Sequence, residues 1–393
     1  MVYDCIIVGA GAAGLFCGAA FSQKQNGLIL EKTRRTGTKL LMSGSGQCNI
    51  THDGSIKDFI PCYGKNGGRI RSCLYRYHNV HLREFLKKNG VDTFVRDDGK
   101  VFPKSMDAKE VRDMLCRKAA QNGFIIQHDS PVTALAKTDS GWCLSTTRSD
   151  YLAKTVILAT GGCSYPTTGS DGSIFDVLKR DLEIEIIPPK PALSPVKVQD
   201  YPYTSLSGIS FANGGVVLLD GDKKLAEHNG GLLLTHRDFS GPAVMNISKH
   251  GFTGGCIQLN YLYPVSYEDA FAILKASLEG NREPVEKLLA ATFDLPRRFA
   301  KAVVQRAGNS PKELAKILTR DTFTITSIGS FNQAMATAGG IALSEVNTKT
   351  MELKKHPGLF AIGEVLDIDG MTGGYNLQFA YASACAASDA VCG

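Results

Sequence analysis

Apolar, β-branched residues from Cys5 to Val8 run straight into a cluster of glycines, then small helix-compatible residues, then a second apolar run at Leu28–Leu30. Strand, tight turn, helix and strand in that order predict a βαβ unit at the start of a parallel sheet. Further apolar runs at Phe124–Gln127, Val132–Leu135, Thr155–Leu158 and Leu359–Ile362 suit strands of the same sheet; Thr155–Leu158 has no polar alternation, as burial on both faces requires. Helical periodicity spans Ala108–Asn122, and a small-residue helix is expected from about Asn376 to Ala390. A hairpin is expected around Trp142.

From Pro188 the pattern changes. The stretch PPKPALSPV reads as an extended crossover, and the short runs Gly215–Leu219, Gly231–Leu234 and Cys256–Leu259 predict a small antiparallel sheet or barrel. Four helical stretches follow (Glu268–Ala276, Pro284–Ala291, Pro296–Ala307, Ser310–Leu318), and strand character returns at Thr322–Ile328. The fold class is α/β. A Rossmann-like domain is expected from residues 1–187 and 330–393, with a β-barrel-like insertion (188–265 and 320–329) and a small helical domain (266–319).

The first glycine cluster has the spacing Gly9, Gly11, Gly14, with Ala12 and Ala13 opening the helix and Glu31 and Lys32 ending the next strand. Gly9 permits the tight turn, Gly11 lets a pyrophosphate reach the backbone, and Gly14 lets helix and strand pack closely. Glu31 is placed to accept from ribose hydroxyls. These features predict dinucleotide binding without choosing between NAD and FAD. A second segment makes the choice. Gly363 and Glu364 end the strand at 359–362, Asp367 and Asp369 follow, and Gly373 and Gly374 open the last helix. Amides at that N-terminus can face the pyrimidine side of a flavin, where negative charge collects on reduction.

Two further loops suit the same ligand. Lys39–Thr51 is rich in Gly and Ser and carries Ser43, Gly44, Gly46, Cys48 and Asn49; Thr160, Gly161 and Gly162 end the 155–158 strand, where such strands place a cofactor. Val132 would lie toward the adenine end.

At 393 residues the chain can form two or three domains, and its 43% hydrophobic content is ordinary for a soluble protein. No apolar run reaches the length of a membrane span and no targeting segment precedes the first strand, so the cytoplasm is the expected location. The eleven cysteines are scattered without a C-x-x-C, which fits reduced thiols and no metal site. A basic cluster, Lys65, Arg69, Arg71, Arg76 and Arg83, reads as a solvated helix face; anion neutralisation ranks second and nucleic acid a distant third. The expected partner is a small-molecule substrate, with no nucleic acid or membrane.

The motifs SGxGxCNxT, Gly99–Val111, Ala159–Gly172, PALSPV, Leu232–Pro242, Thr337–Glu352 and Gly358–Ser383 occur in this order over nearly the whole chain. Together they resemble the bacterial flavoproteins that include aminoacetone oxidase and a bile-acid 3-dehydro-Δ4,6-reductase. The resemblance implies a Rossmann-like FAD domain, a barrel-like β domain and a small helical domain. It also implies non-covalent FAD, with contacts at Gly9, Gly11, Gly14, Glu31, Lys39, Ser43, Gly44, Gly46, Cys48, Asn49, Gly161, Gly162, Gly363, Glu364 and the turn through Gly374, Tyr375, Asn376 and Leu377. The chain departs from the usual pattern at Gln47, where Arg is common, at His52 and at Lys100.

Flavin chemistry passes through N5, which leaves the protein to orient substrate, exclude water and supply a proton. Candidates for that proton are His236, in the polar turn THRDFSGP, and Tyr165 and Tyr375, in the two cofactor motifs. The expected activity is FAD-dependent oxidoreduction of a small organic molecule by hydride transfer, foremost NAD(P)H-dependent reduction of an activated C=C bond. The alternatives are an amine oxidase or dehydrogenase of the aminoacetone oxidase type, a tRNA-modifying flavoprotein, and a non-catalytic flavin-binding module. With no second nicotinamide-type glycine motif, NAD(P)H would visit transiently.

Overall fold

The first two apolar runs lie side by side: strand Val2–Val8 pairs in parallel with Gly27–Leu30 on one edge and with Asp150–Leu158 on the other. This computed structural model describes all residues from Met1 to Gly393. Phe124–Gln127 extends the parallel sheet beyond Gly27–Leu30, and Leu359–Ala361 extends it beyond Asp150–Leu158. The hairpin of Val132–Thr138 and Gly141–Thr146 joins through the antiparallel pairing of Gly141–Thr146 with Asp150–Leu158, giving nine strands with the short pieces Val346–Asn347 and Glu352–Leu353. Ile6, Ile7, Ile29, Val156, Ile157 and Leu158 are fully buried at its centre. Each such side chain contributes about 1.5–3 kcal/mol of burial free energy.

Helix Ala12–Ala20 packs on helix Tyr375–Cys392, so the two ends of the chain share one core. Small residues in both, among them Ala13, Gly14, Ala382 and Ala386, are buried and let the helices approach closely. No helix is long and apolar enough to cross a membrane, and all eleven cysteines are free thiols.

The chain folds as two units, Met1–Lys190 with Ala336–Gly393, and Pro191–Met335. From sequence the divisions were expected at 187 and 330. The proline-rich stretch is partly a strand, Ile186–Ala192, in a two-stranded sheet with Ala336–Ile341. A two-stranded sheet consists of edges alone, where the missing proline N–H is tolerated.

In the second unit, Val196–Val198, Phe239–Ser240, Lys223–Leu234, Ser210–Asp220, Cys256–Asn260 and Asp321–Ile328 form a closed barrel in that order. Its strands are longer than the short alternating runs suggested, and they bulge near Gly214 and Leu219. Helices Tyr267–Leu278, Val285–Thr292, Arg297–Ala307 and Pro311–Arg320 correspond to the four helical stretches. They do not have a separate core, as a domain at 266–319 would. Phe299, Val303, Leu314 and Leu318 share one apolar cluster with Tyr203, Phe211 and Tyr261. Asp321, on a barrel strand, accepts two bonds of 2.8 Å from Arg306 and bonds of 2.6 and 3.0 Å from the Tyr203 and Tyr261 hydroxyls. A buried carboxylate needs such partners, and here they pin the helical layer to the barrel.

The basic cluster differs from the expected helix face. It spans a 3-10 stretch (Ile60–Ile70) kinked at Tyr63 and Gly64, a short helix Arg71–Arg76 and a further helix Asn79–Lys88. A small sheet of Thr51–His52, Lys100–Pro103 and Thr93–Val95, unread in the sequence, packs beside it.

Candidate functional site

At the carboxyl end of the parallel sheet the three glycines meet three different demands. A Cβ on Gly9 (φ +107°) would lie 2.6 Å from the Ala159 carbonyl oxygen, and one on Gly14 would run into the Gly9 carbonyl. A Cβ on Gly11 would meet nothing within 4 Å. Gly9 and Gly14 are therefore glycine for the protein's own packing, whereas Gly11 borders open space that a ligand can fill. The helix starting at Ala12 has no side-chain cap at its N-terminus, which leaves its first amides available to phosphate.

Glu31 is 7% exposed and already occupied. One oxygen accepts from the Ala10 amide at 2.9 Å, and the other from the Thr33 amide and hydroxyl, both at 2.8 Å. It braces the glycine loop through the Ala10 amide. Ser130 N donates to Glu31 O, and Val132 begins its strand two residues later. Lys32 points to Asp171 (2.5 Å) and Ser173 (3.0 Å).

Lys39 and Glu364 form the polar centre of this edge. Lys39 Nζ is 2.6 Å from Glu364 Oε2 and also donates to Ser164 Oγ (3.0 Å) and Ser170 Oγ (3.3 Å). Glu364 Oε1 accepts from Ser164 Oγ at 2.9 Å and from Thr337 N at 2.8 Å. Thr337 Oγ1 in turn accepts from the Cys163 and Ser164 amides. Gly161 (φ +72°) and Gly162 lie within this network: a Cβ on Gly161 would come 2.7 Å from Ser170 Oγ, and one on Gly162 would strike Thr337. Ser164, Ser170 and Thr337 were not among the sequence candidates, although all three fall inside motifs already noted. Thr160 Oγ1 is buried with no hydrogen-bond partner. An orphaned hydroxyl at the end of a central strand is what an incoming polar ligand would satisfy.

The Gly/Ser loop and the last helix meet directly. Gly44, Ser45, Gly46 and Cys48 all have positive φ, and the tight loop is closed by the Gln47 and Cys48 amides donating to Gly44 O and Ser43 O. Ser43 Oγ donates to Leu40 O at 2.7 Å. The Asn49 side-chain amide, oriented to satisfy both neighbours, donates to Thr51 O (3.0 Å) and accepts from Gly374 N (3.2 Å). A Cβ on Gly374 (φ +96°) would lie 2.6 Å from the Thr51 backbone, so only glycine allows this approach. Asn376 closes the 370–376 turn through two bonds to Gly370. Leu377 packs against the core. Gly363 (φ +68°) sits against Ala13, joining this segment to the first helix.

Tyr375 is held as a packing residue. Its ring stacks on His52 at 5.5 Å, meets Phe59 and Tyr63 edge-on, and its carbonyl accepts from the Tyr63 hydroxyl at 2.7 Å. Burial and the neighbouring Cys62 thiol raise its hydroxyl above the ordinary range, which weakens it as an acid. Tyr165 adopts φ +52°, a rare state for a bulky residue, between Ser164 in the Glu364 network and Pro166. His236 belongs to the second unit, in the turn where Thr235 and Asp238 bond each other. Burial pushes the Cys48 thiol up to about 12, and raises Cys163 as well, so neither is a ready thiolate.

These residues fit FAD. An unfilled approach at Gly11, the uncapped helix N-terminus beside it and the unmet Thr160 hydroxyl suit a pyrophosphate-bearing ligand. A Rossmann-like sheet with its carboxyl edge lined in this way makes the chain an FAD-dependent oxidoreductase. It belongs to the HI0933-like protein Rossmann domain family, which matches residues 3–390.

Relatives share its whole length. A ribosomal RNA dihydrouridine synthase of Escherichia coli is 28% identical over 396 residues, covering 97% of this chain and 96% of that protein. A 3-dehydro-bile acid delta(4,6)-reductase of Clostridium scindens is 28% identical over 400 residues, covering 96% of each. Among solved structures, a 3-ketosteroid-delta4-(5alpha)-dehydrogenase of Rhodococcus jostii aligns with TM-score 0.53 and 16% identity, over 98% of this chain and 96% of that one. At that identity the likeness is one of fold.

Proposed function

We propose that the chain reduces a C=C bond conjugated to a carbonyl, with NADH or NADPH as the electron source. The observation that carries this reading is the Lys39–Glu364 pair, which ties the turn after the 150–158 strand to the Gly363–Val365 turn at the edge of a cradle fitted to FAD. The relatives supply the substrate chemistry. Dihydrouridine differs from uridine by saturation of a ring C=C bond next to a carbonyl, and the delta(4,6) bonds of a 3-dehydro bile acid are conjugated to its 3-oxo group. Both are electron-poor alkenes, open to hydride at the β carbon and a proton at the α carbon.

Bound FAD supplies hydride exchange at its N5. The Gly9–Gly14 loop and the adjoining helix N-terminus would hold its pyrophosphate, with the Lys39–Glu364 pair bracing the neighbouring strand end. The amides that open Tyr375–Cys392 would stabilise negative charge on its reduced ring. Tyr165, whose strained backbone holds it beside the Ser164–Glu364 network, delivers the proton to the α carbon.

A narrower reading takes the uracil of an RNA as the substrate. It is favoured by two relatives, from Escherichia coli and Haemophilus influenzae, both named as ribosomal RNA dihydrouridine synthases and both 28% identical over at least 96% of each chain. Turnover assays under anaerobic conditions, with NADPH and either a steroid-type enone or a uridine-containing RNA, test both readings. Saturated product from either supports the proposal. Product from neither, with amine oxidation instead, overturns it.

A further inference from the structure

The chain carries 44 Lys and Arg against 38 Asp and Glu. Seven of the cations and only one of the carboxylates, Glu84, fall between residues 65 and 88. That segment of 24 residues therefore has a formal charge of +6, equal to that of the whole protein, and the remaining residues balance at 37 of each sign.

Ordinary structural roles account for some of these cations. Arg76 pairs with Asp389 at 3.1 Å and Arg83 with Asp53 at 3.3 Å, while Lys87 and Lys88 lie in the last turn of their helix, where its dipole favours positive charge. Lys65, Arg69 and Arg71 have no ion pair and are exposed. Three like charges within seven residues repel one another, so the isolated protein gains nothing from their grouping. Arg71 also lies over the Tyr75 ring at 5.3 Å, which holds its guanidinium where a base can stack on it.

The cluster adjoins the cofactor segment. Lys65, Asn66 and Arg69 line a cavity of about 410 Å³ together with Glu185, Ser344 and Asp367. Asn66 Nδ2 donates to the Asp367 carbonyl (2.7 Å) and carboxylate (3.0 Å), and Asp367 lies three residues beyond Glu364. Tyr63, two residues before Lys65, bonds to Tyr375.

We infer that the 65–88 stretch is the docking surface for the phosphate backbone of single-stranded RNA, with Lys65, Arg69 and Arg71 as its principal contacts. The inference rests on the reading of RNA uracil as the substrate and gives that substrate a place to bind. Charge complementarity argues for it: a polyanion uses unpaired, exposed cations, and the Arg71–Tyr75 stack suits a strand with unstacked bases.

The test is fluorescence anisotropy of a labelled, uridine-containing single-stranded RNA with the FAD-loaded full chain, across about 50–200 mM salt. Wild type is expected to bind with a salt-dependent affinity. The triple variant Lys65→Ala/Arg69→Ala/Arg71→Ala is expected to bind at least about tenfold more weakly, with a log–log salt slope shallower by about 2, at roughly 0.7 per lost phosphate contact. Bound FAD and thermal unfolding serve as its fold controls. The double variant Lys301→Ala/Lys316→Ala, which removes exposed cations of the second unit, is expected to bind like wild type. No salt-dependent binding by wild type, equal losses in both variants, or capture by phosphatidylserine vesicles in place of RNA would overturn the inference. Reduction of an enone by a protein that ignores RNA defeats the docking surface and leaves the reductase. RNA binding lost in the triple variant, with no C=C bond reduced on any substrate, leaves the surface and defeats the reductase.

Discussion

Lys39 and Glu364 are 325 residues apart in sequence, yet their side chains meet at 2.6 Å, at 26% and 18% exposure. The pair joins the short helix Thr38–Met42, the Ser164–Ser170 stretch after the 150–158 strand and the Gly363–Val365 turn. Lys39→Met strands a half-buried carboxylate, at an expected cost of about 2 kcal/mol. Thermal unfolding of the apoprotein reads that loss. Flavin fluorescence titration is expected to show FAD binding weakened by at least about tenfold, and unchanged affinity would remove Lys39 from the site.

The glycine loop separates folding from binding. Gly11→Ala adds a methyl group where no protein atom lies within 4 Å, so apoprotein stability should stay within about 0.5 kcal/mol of wild type while FAD affinity falls. Gly14→Ala collides with the Gly9 carbonyl and should destabilise the fold itself, by about 1–3 kcal/mol. Denaturant unfolding of both apoproteins, beside FAD titrations, checks the pair. A destabilised Gly11→Ala apoprotein would mean that the open space at Gly11 is not the ligand's.

Much of the sheet was readable because its buried strands carry continuous apolar runs, as at Cys5–Val8 and Leu359–Ala361, and both ends of the cofactor site carry their own glycine signatures. Single residues around the site were not. Thr337, Ser164 and Ser170 act through side-chain bonds that form only when strands distant in sequence come together, and no local pattern marks a serine as a partner for Glu364. The helical stretch 266–319 looked independent because its periodicity is its own. Its bond to the barrel depends on Arg306 finding Asp321, a pairing invisible to periodicity.

The proton-donor assignment predicts a split between half-reactions. Tyr165→Phe should leave reduction of the flavin by NADPH at wild-type rate while slowing alkene reduction by about 10²–10⁴-fold. Tyr375→Phe, which removes a hydroxyl set against Cys62, should change both by far less. Stopped-flow traces of each half-reaction settle the matter, and equal slowing of both by Tyr165→Phe would assign that residue to cofactor positioning.

Acid should loosen the small sheet beside the basic segment. The Arg96 guanidinium, with Lys100, holds the Asp98 carboxyl below its ordinary value. A carboxylate depressed in the folded state contributes its full stability above its unfolded pKa of about 3.9 and loses it as pH falls through the folded value. Wild type should therefore unfold at a higher temperature than Asp98→Asn at neutral pH, with the gap closing below about pH 4. A gap that persists into strong acid would deny the ion pair its role.

The most direct measurement is an anaerobic double-mixing stopped-flow experiment on the FAD-loaded chain. NADH or NADPH is added first, and the oxidised-flavin absorbance band is followed; an α,β-unsaturated ketone or a uridine-containing RNA is then added without oxygen. The account predicts rapid bleaching by a nicotinamide and recovery of the band on addition of the alkene. Failure of both nicotinamides to bleach the band, together with bleaching by a primary amine alone, would contradict it.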